Sequence, residues 1–213
     1  MKRDKSTFIS AILLAAGESK RMGKPKLLLP LGSGTILGKT ADNLLSSQVD
    51  EVIVVLGAEA QEMKKAIAGK PVKVVFNPNY RQGMSTSLII GLKQVSARAQ
   101  RVMVALCDQP LIEKKTYNRL IEESFNSGKG ITVPTYQAKR GNPIIFSTSY
   151  KDELMGLEGD VGGREILRRH PDDVLEVAVD SESIIININT MDEYYAHLKL
   201  ANQEGRRSDA KES

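Results

Sequence analysis

Residues 13–26 read Leu-Leu-Ala-Ala-Gly-Glu-Ser-Lys-Arg-Met-Gly-Lys-Pro-Lys. The leucines end a run of apolar residues, and this run stops at a turn of two alanines and a glycine. Four cations follow, at positions 20, 21, 24 and 26. Small residues let backbone N–H groups approach phosphate oxygens, and clustered cations neutralise the charge that remains. The stretch therefore predicts a buried strand followed by a polyphosphate-binding loop; a solvated basic loop is the alternative.

Apolar runs that are typical of buried strands recur along the chain. They occur at residues 8–14, 51–56, 72–76, 101–106 and 184–188. Segments with helical spacing of apolar residues separate them, and Thr190 and Glu193 have the spacing of a capping box that opens a last helix. Because the runs are continuous rather than alternating, they predict an α/β fold with a mostly parallel sheet covered by helices on both faces. Residues 131–146 break this pattern and predict a hairpin or lid over the sheet edge.

Asp108 follows the fourth apolar run in the same way that the basic loop follows the first. In an open parallel sheet, ligands bind beyond the carboxyl ends of the strands. We therefore expect the basic loop and Asp108 to lie at one edge and to form one site. Mg²⁺ takes few protein oxygens and completes its shell with substrate phosphates, so Asp108 is a candidate metal ligand. The alternative is an aspartate that begins a turn before Pro110.

Length, charge and cysteine content limit the class of protein. The 213 residues predict one folded domain over residues 1–200 and a disordered tail over residues 201–213. No run of 18 apolar residues occurs, so no membrane-spanning helix is expected. The single cysteine, Cys107, excludes an internal disulfide and is typical of a cytoplasmic protein. The net charge of +4 comes without a basic stripe interleaved with aromatics, which favours small anionic substrates over nucleic acid.

Five motifs, in order along the chain, resemble those of one enzyme family. They are Ala15-Ala16-Gly17-x-Ser19-x-Arg21-Met22-Gly23-x-x-Lys26, Asn77-Pro78-x-Tyr80-x-x-Gly83-Met84-Ser85-x-Ser87-Leu88, Asp108-Gln109-Pro110, Arg140-Gly141-x-Pro143 and Gly159-Asp160-x-Gly162-x-Arg164. The set resembles the MobA-like NTP transferases, and most of all their molybdenum cofactor cytidylyltransferase branch. The resemblance implies a three-layer α/β sandwich with a mostly parallel, Rossmann-like sheet, similar to the nucleotide-diphospho-sugar transferases.

The resemblance also implies roles for individual residues. Arg21, Lys26 and Asp108 would be catalytic, the two cations by neutralising the triphosphate. The implied nucleotide and substrate contacts are Leu14, Ala15, Ala16, Gly17, Arg21, Lys26, Gly83, Ser85 and Gly141. Ordinary N-capping by Ser85 and a plain hairpin turn at Gly141 are the alternatives for these two residues. Asp160 would either lie near the pterin side or cap the helix that contains Leu167.

The chain departs from the family pattern at the metal site. The resemblance implies Mg²⁺ as cofactor, held by Asp108 and by the second aspartate of an Asp-Ile-Asp-Thr segment. Here the segment reads Asn187-Ile188-Asn189-Thr190. An amide oxygen can coordinate Mg²⁺ but carries no charge. Asn189 is therefore the candidate second ligand, and we expect weaker binding of the metal.

These features predict a nucleotidyltransferase that uses CTP and molybdopterin. Nucleotidyl transfer needs positioning and charge neutralisation more than acid–base groups, and no nucleophile–base pair is evident. The resemblance implies transfer of CMP to molybdenum-bearing molybdopterin, with release of pyrophosphate. Ala16 favours CTP, because guanylyltransferase relatives tend to have glycine there and a methyl group would crowd a purine.

Three alternative functions remain open. The first is a GTP-using guanylyltransferase. The second is a maturation factor that binds the cofactor and delivers it to a xanthine dehydrogenase-type apoenzyme, which the asparagine at position 189 would favour. The third is a pyridine-nucleotide oxidoreductase on the same scaffold. The absence of a Gly-x-Gly-x-x-Gly fingerprint after the first apolar run disfavours the third.

Overall fold

The computed structural model of the protein describes residues 7–19, 22–196 and 198. The strands in this part of the chain are β1 (Ile9–Ala15), β2 (Pro30–Leu31), β3 (Gly34–Thr35), β4 (Glu51–Leu56), β5 (Lys73–Phe76), β6 (Arg101–Leu106), β7 (Ile131–Tyr136), β8 (Lys139–Arg140), β9 (Ile144–Ser147) and β10 (Val174–Ala178). The helices are α1 (Ile36–Leu45), α2 (Ala60–Ala66), α3 (Met84–Leu92), α4 (Lys114–Asn126), α5 (Lys151–Met155) and α6 (Arg164–Arg169). Residues 191–196 are also helical.

One central sheet contains all of these strands except the β2–β3 pair. Its order is β10-β7-β9-β6-β1-β4-β5, and β8 pairs with β7 outside this path. Strand β1 lies inside the sheet and runs parallel to both of its neighbours, β4 and β6. Strand β5 is parallel to β4, and β10 is parallel to β7, whereas β9 is antiparallel to β6 and β7. The mostly parallel sheet that the sequence predicts is therefore confirmed.

Alternate residues of β1 pack into cores on opposite faces of the sheet. Ile9 and Leu13 belong to a core shared with α1, α2 and α4, whereas Ile12 and Leu14 belong to a core shared with α3, α5 and α6. Every residue of β1 is buried, which explains why the strand is a continuous apolar run. Burial of each large aliphatic side chain contributes about 1.5–3 kcal/mol. The two cores hold β1, and the loop that follows it, in the middle of three layers.

The predicted capping box is present before the last described helix. The N–H of Glu193 donates to Thr190 Oγ1 at 3.2 Å, and the N–H of Thr190 donates to Glu193 Oε2 at 2.9 Å. Within the described ranges, no helix is both long enough and apolar enough to cross a bilayer. The predicted tail, 201–213, lies outside the described residues.

One of the sequence expectations is wrong, and another is confirmed only in part. Residues 184–188 do not form a strand, because a 3-10 turn at Glu182–Ile184 leads into residues that pair with no strand. Ile184 and Ile188 are nevertheless buried, so the apolar pattern reflects packing against the sheet rather than pairing within it. Residues 131–146 do contain a hairpin, in which β8 pairs antiparallel with β7, but they do not project as a lid, since β7 and β9 pair with each other inside the central sheet.

Candidate functional site

A cavity of about 740 Å³ opens where β1 and β6 end side by side. Four parts of the chain form its walls: the end of β1 and its loop, the turn before α3, the end of β6, and the segment around residue 188. Its lining includes Leu14, Ala15, Ala16, Gly17, Glu18, Lys26, Arg81, Gly83, Asp108, Asp160, Asn187 and Asn189. The structure thus places the loop after β1 and Asp108 at one edge of the sheet.

Lys26, Asp108 and Asn189 form a cluster in this cavity that we term the polar centre. The Nζ atom of Lys26 lies 2.8 Å from Asp108 Oδ2 and 3.2 Å from Asn189 Oδ1. The side chains of Lys26 and Asp108 are only 15% and 18% exposed. Reduced contact with water strengthens the attraction between their charges. A residue that the sequence predicts as a triphosphate cation therefore lies directly between the two predicted metal ligands.

A pair of side-chain amides, which we term the amide brace, holds Asp108 from the other side. Asn187 Nδ2 donates to Asp108 Oδ1 at 3.3 Å. Gln109 Nε2 in turn donates to Asn187 Oδ1 at 3.0 Å and to the carbonyl oxygen of Ile184 at 3.1 Å. Gln109 is buried, so it fixes the direction in which the Asn187 amide faces. Both carboxylate oxygens of Asp108 therefore accept hydrogen bonds from side chains.

Sequence reasoning did not assign roles to Gln109 and Asn187. Their positions in the sequence were the available signal: Gln109 directly follows Asp108, and Asn187 lies two residues before Asn189. The backbone joins these two segments as well, because the N–H of Ile188 donates to the carbonyl oxygen of Asp108 at 2.9 Å.

The loop after β1 is held by hydrogen bonds to Ser19. The N–H of Met22 donates to the Ser19 carbonyl oxygen at 3.0 Å, and the N–H of Lys26 donates to Ser19 Oγ at 3.2 Å. Lys26 begins a 3-10 turn whose Leu27 is buried, so its backbone is anchored while its side chain reaches the cavity. No atom lies within 4 Å of where a Gly17 side chain would begin, apart from its chain neighbours, which leaves that backbone open to a ligand. Arg21 falls outside the described residues.

The turn before α3 is fastened to the loop that precedes α6. Gly83 has a φ of 118°, and a Cβ atom there would overlap the carbonyl group of Gly159. Ser85 Oγ donates to that same carbonyl oxygen at 2.7 Å, and the N–H of Met84 donates to Asp160 Oδ1 at 3.2 Å. Only glycine fits at position 83 without displacing the neighbouring loop.

This arrangement corrects two interpretations of the sequence. Ser85 is not an N-cap, because α3 begins at Met84 after an N-cap at Gly83. Ser85 is buried and does not line the described cavity, so its predicted contact with substrate stays a prediction. Asp160 does not cap α6, whose N-terminus has no side-chain cap; it receives the first N–H of α3 instead and lines the cavity.

Gly141 lies away from the described lining of the cavity. Its N–H donates to the carbonyl oxygen of Pro134 at 2.9 Å, and a Cβ atom at this position would overlap the Ile184 carbonyl group. The glycine thus permits a close approach between β8 and the chain that leads to the polar centre. A direct contact between Gly141 and substrate stays a prediction.

An ion pair joins two walls of the cavity. Arg81 Nε lies 2.9 Å from Glu18 Oε1, and the Arg81 guanidinium lies 5.5 Å from the centre of the Tyr80 ring. The Arg81 side chain is 73% exposed, so solvent screens this pair and it adds little to stability. Arg81 supplies a described cation on the wall formed by the turn before α3, and sequence reasoning did not assign it a role.

Cys107 lies next to Asp108 but is an inert part of the core. Burial raises the pKa of its thiol, and the charge of Asp108 raises it further. A thiol that stays protonated is a poor nucleophile. The described part of the cavity therefore offers charge neutralisation and hydrogen bonding, and we assign no covalent role to the cysteine.

The polar centre has the donors that a hard cation requires. Among the described residues, no three His, Cys, Asp or Glu side chains gather in a group that could hold a metal ion. Asp108 Oδ2 and Asn189 Oδ1 nevertheless converge on one positive charge, the Nζ of Lys26. Mg²⁺ is commonly bound by one or two carboxylates together with substrate phosphates. Two oxygens directed at a shared cation position fit that pattern.

Comparison with known proteins defines the family. The model of the MobA-like NTP transferase domain matches residues 11–174. The chain belongs to this family. The nicotine blue oxidoreductase of Paenarthrobacter nicotinovorans is 30% identical over 88% of this chain and 95% of its own length. The molybdenum cofactor cytidylyltransferase of Escherichia coli is 26% identical over 87% of this chain and 93% of its own length.

Solved structures of relatives have the same architecture. Rv0371c from Mycobacterium tuberculosis aligns with a TM-score of 0.83 at 33% identity, over 91% of this chain and 98% of that chain. Its manganese complex aligns with a TM-score of 0.80 at 32% identity, over the same shares of the two chains. A nucleotidyl transferase from Methanothermobacter aligns with a TM-score of 0.80 at 26% identity, over 92% of this chain and 99% of that chain. The predicted nucleotide-diphospho-sugar transferase fold is confirmed, and the family and these neighbours support nucleotidyltransferase activity.

Proposed function

We propose that the protein transfers CMP from CTP to the terminal phosphate of molybdenum-bearing molybdopterin, giving molybdopterin cytosine dinucleotide and pyrophosphate. The observation that carries this proposal is the polar centre at the end of a loop of small residues, where Lys26 meets Asp108 and Asn189. The relation to the E. coli molybdenum cofactor cytidylyltransferase supports the choice of acceptor.

The reaction needs little proton transfer from the protein. A phosphate monoester is largely deprotonated near pH 7, so an oxygen of the acceptor phosphate can attack the α-phosphorus directly. A new P–O bond forms, the bond from the α-phosphorus to the bridging oxygen breaks, and pyrophosphate leaves with the electron pair. Lys26 neutralises phosphate oxygens, and open backbone at Gly17 approaches them closely. The amide brace keeps Asp108 facing the cavity throughout.

A divalent cation would complete the charge balance. Asp108 and Asn189 would hold Mg²⁺ or Mn²⁺, which would neutralise charge on the triphosphate. The manganese complex of Rv0371c supports a divalent cation in a relative. This chain's own contribution is to present two oxygens, Asp108 Oδ2 and Asn189 Oδ1, toward one position.

Ala16 supports CTP as the nucleotide. Its carbonyl oxygen accepts from the N–H of Ala58 at 3.3 Å, which fixes the backbone of this residue in the cavity wall. A methyl group held in the wall narrows the space for a base, and a pyrimidine is the smaller ring. We expect Ala16→Gly to increase the use of GTP relative to CTP.

The test combines purified protein, molybdenum-bearing molybdopterin and either CTP or GTP. Pyrophosphate release is followed, and the dinucleotide is identified by mass spectrometry. We expect CTP to be preferred, and we expect Lys26→Ala and Asp108→Ala each to lower the rate by about 10²–10³-fold. Lys93→Ala removes an exposed cation that lies outside the described lining of the cavity and should have little effect. Preference for GTP, or near-full rates in both site variants, would contradict the proposal.

One observation favours a second function. The nicotine blue oxidoreductase is a relative at 30% identity, against 26% for the cytidylyltransferase. Oxidation of NADH or NADPH in the presence of nicotine blue, with no pyrophosphate released from CTP, would support an oxidoreductase. Binding of the finished dinucleotide without turnover, together with capture of a xanthine dehydrogenase-type apoenzyme, would instead support a maturation factor.

A further inference from the structure

We propose that Lys26 and the divalent cation compete for a single position between Asp108 and Asn189, so that the metal binds weakly by itself and tightly once Lys26 transfers to the triphosphate. This inference rests on the proposed function, because the substrate it assumes is a metal–triphosphate complex. In this proposal the Lys26 ammonium group occupies the metal position when no metal is bound, and it contacts phosphate when the triphosphate is bound.

The geometry of the polar centre sets up the competition. Asp108 Oδ2 and Asn189 Oδ1 lie 2.8 and 3.2 Å from the same Nζ atom. Mg²⁺ binds oxygens at about 2.1 Å, so a cation shared by these two oxygens occupies the space that the ammonium group fills. Two positive groups at that separation also repel each other strongly. The two oxygens therefore bind the ammonium or the metal, but not both.

The nearest other side-chain oxygens of the described residues are already engaged, and Glu193 Oε2 accepts from the N–H of Asn189 at 2.6 Å. Asp108 Oδ1 accepts a hydrogen bond from Asn187 Nδ2, and Asn187 Oδ1 is engaged by Gln109 Nε2. The polar centre thus carries one negative charge, and the one positive charge of Lys26 balances it. A metal ion that enters alone must displace an existing ion pair to gain a single carboxylate and an amide oxygen.

A triphosphate changes this balance. Lys26 has an anchored backbone, because its N–H donates to Ser19 Oγ at 3.2 Å and Leu27 next to it is buried. Its side chain can therefore turn from Asp108 to a phosphate oxygen without movement of the loop. The displaced ammonium keeps an anionic partner, and the metal gains phosphate oxygens in addition to Asp108 and Asn189. Metal and nucleotide consequently strengthen each other's binding.

The test measures Mn²⁺ binding to the full chain with no nucleotide present, by the electron paramagnetic resonance signal of free Mn²⁺. Lys26→Met removes the ammonium but retains a long side chain, and we expect it to tighten Mn²⁺ binding by about 10-fold or more. Lys24→Met is the matched control, since it removes an exposed charge two positions away. We expect the control to change binding by less than about twofold. Lys26→Met binding no tighter than Lys24→Met would overturn the proposal.

A second measurement needs no substitution and covers the case in which Lys26→Met does not fold. Lys26 is 15% exposed, so it should react slowly with an acetylating reagent, and peptide mass spectrometry can compare it with Lys24. Saturating Mn²⁺ should raise Lys26 acetylation several-fold relative to Lys24, and added inorganic tripolyphosphate should lower it again. Unchanged acetylation of Lys26 on addition of Mn²⁺ would also overturn the exchange.

The test of the exchange between Lys26 and the metal can be separated from the test of CMP transfer. Neither measurement contains CTP or molybdopterin, so tightened Mn²⁺ binding in Lys26→Met supports the exchange whether or not CMP is transferred. If CTP is not turned over while the exchange is observed, the proposed function fails and the competition for one cation position stands.

Discussion

The substitution Asn187→Asp probes the amide brace most sharply. Asn187 Nδ2 donates to Asp108 Oδ1 at 3.3 Å. An aspartate replaces this donor with a carboxylate oxygen at about the same distance from a like charge. Coulomb repulsion at that separation is about 5 kcal/mol at an effective dielectric constant of 20 and about 1 kcal/mol in bulk water. Lys26 on the other oxygen of Asp108 offsets part of it, so we expect the free energy of unfolding to fall by about 1–3 kcal/mol at pH 7.

Urea denaturation at pH 7, with and without millimolar Mn²⁺, measures this effect. A second carboxylate adds a charged ligand beside Asp108, so Mn²⁺ should restore most of the stability lost in Asn187→Asp. Asn187→Ala is the matched control: it loses only the two hydrogen bonds, about 1 kcal/mol each, and gains no Mn²⁺ rescue. The reasoning fails if Asn187→Asp is as stable as the unsubstituted protein without Mn²⁺, or if Mn²⁺ stabilises both variants equally.

Three further outcomes follow from the described contacts. Gly83→Ala should lower the free energy of unfolding by more than about 2 kcal/mol in urea titrations, because its φ is 118° and the added Cβ atom would meet a backbone carbonyl group. Gly69→Ala is the control: its φ is 80° and the space around it is open, so this substitution should lower the free energy of unfolding by less. Burial, and then the hydrogen bond to Asp173, raise the pKa of Tyr150 from 10.0 to about 12, so the folded state retains a proton that the unfolded chain loses. The free energy of unfolding should therefore decline between about pH 10 and 12. Melting temperatures measured across that range should fall less steeply in Tyr150→Phe than in the unsubstituted protein. Cys107 should react with a disulfide reagent at pH 8 only as fast as the protein unfolds, and rapid labelling of the native state would contradict its assignment to the core.

Those features of the site that depend on strand order along the chain could be predicted from the sequence. The apolar run that ends at Leu14 and the run before Asp108 are each continuous, which is the pattern of strands buried on both faces. Parallel neighbours end at a common edge, and so the loop after β1 and Asp108 meet there. The basic loop already included Lys26, and the motif resemblance added Asn189, which has no local signal of its own.

The remaining features depend on contacts between distant segments. Ile184 and Ile188 are as apolar as a strand, but they pack beside the sheet without pairing, and periodicity cannot separate these two outcomes. The direction of the Asn187 amide is fixed by Gln109, a residue 78 positions earlier in the chain. The contact of Lys26 with both predicted metal ligands likewise depends on the folded loop, so sequence reasoning treated cation and ligands as separate groups.

A crystal structure of the protein with CTP and Mn²⁺ tests the central claim most directly, because the anomalous signal of manganese gives the position of the metal independently of the surrounding electron density. We predict one manganese peak in contact with Asp108 and Asn189 oxygens and with the triphosphate, and we predict Lys26 Nζ on a phosphate oxygen. A nucleotide bound elsewhere, or a manganese peak remote from Asp108, would contradict the account.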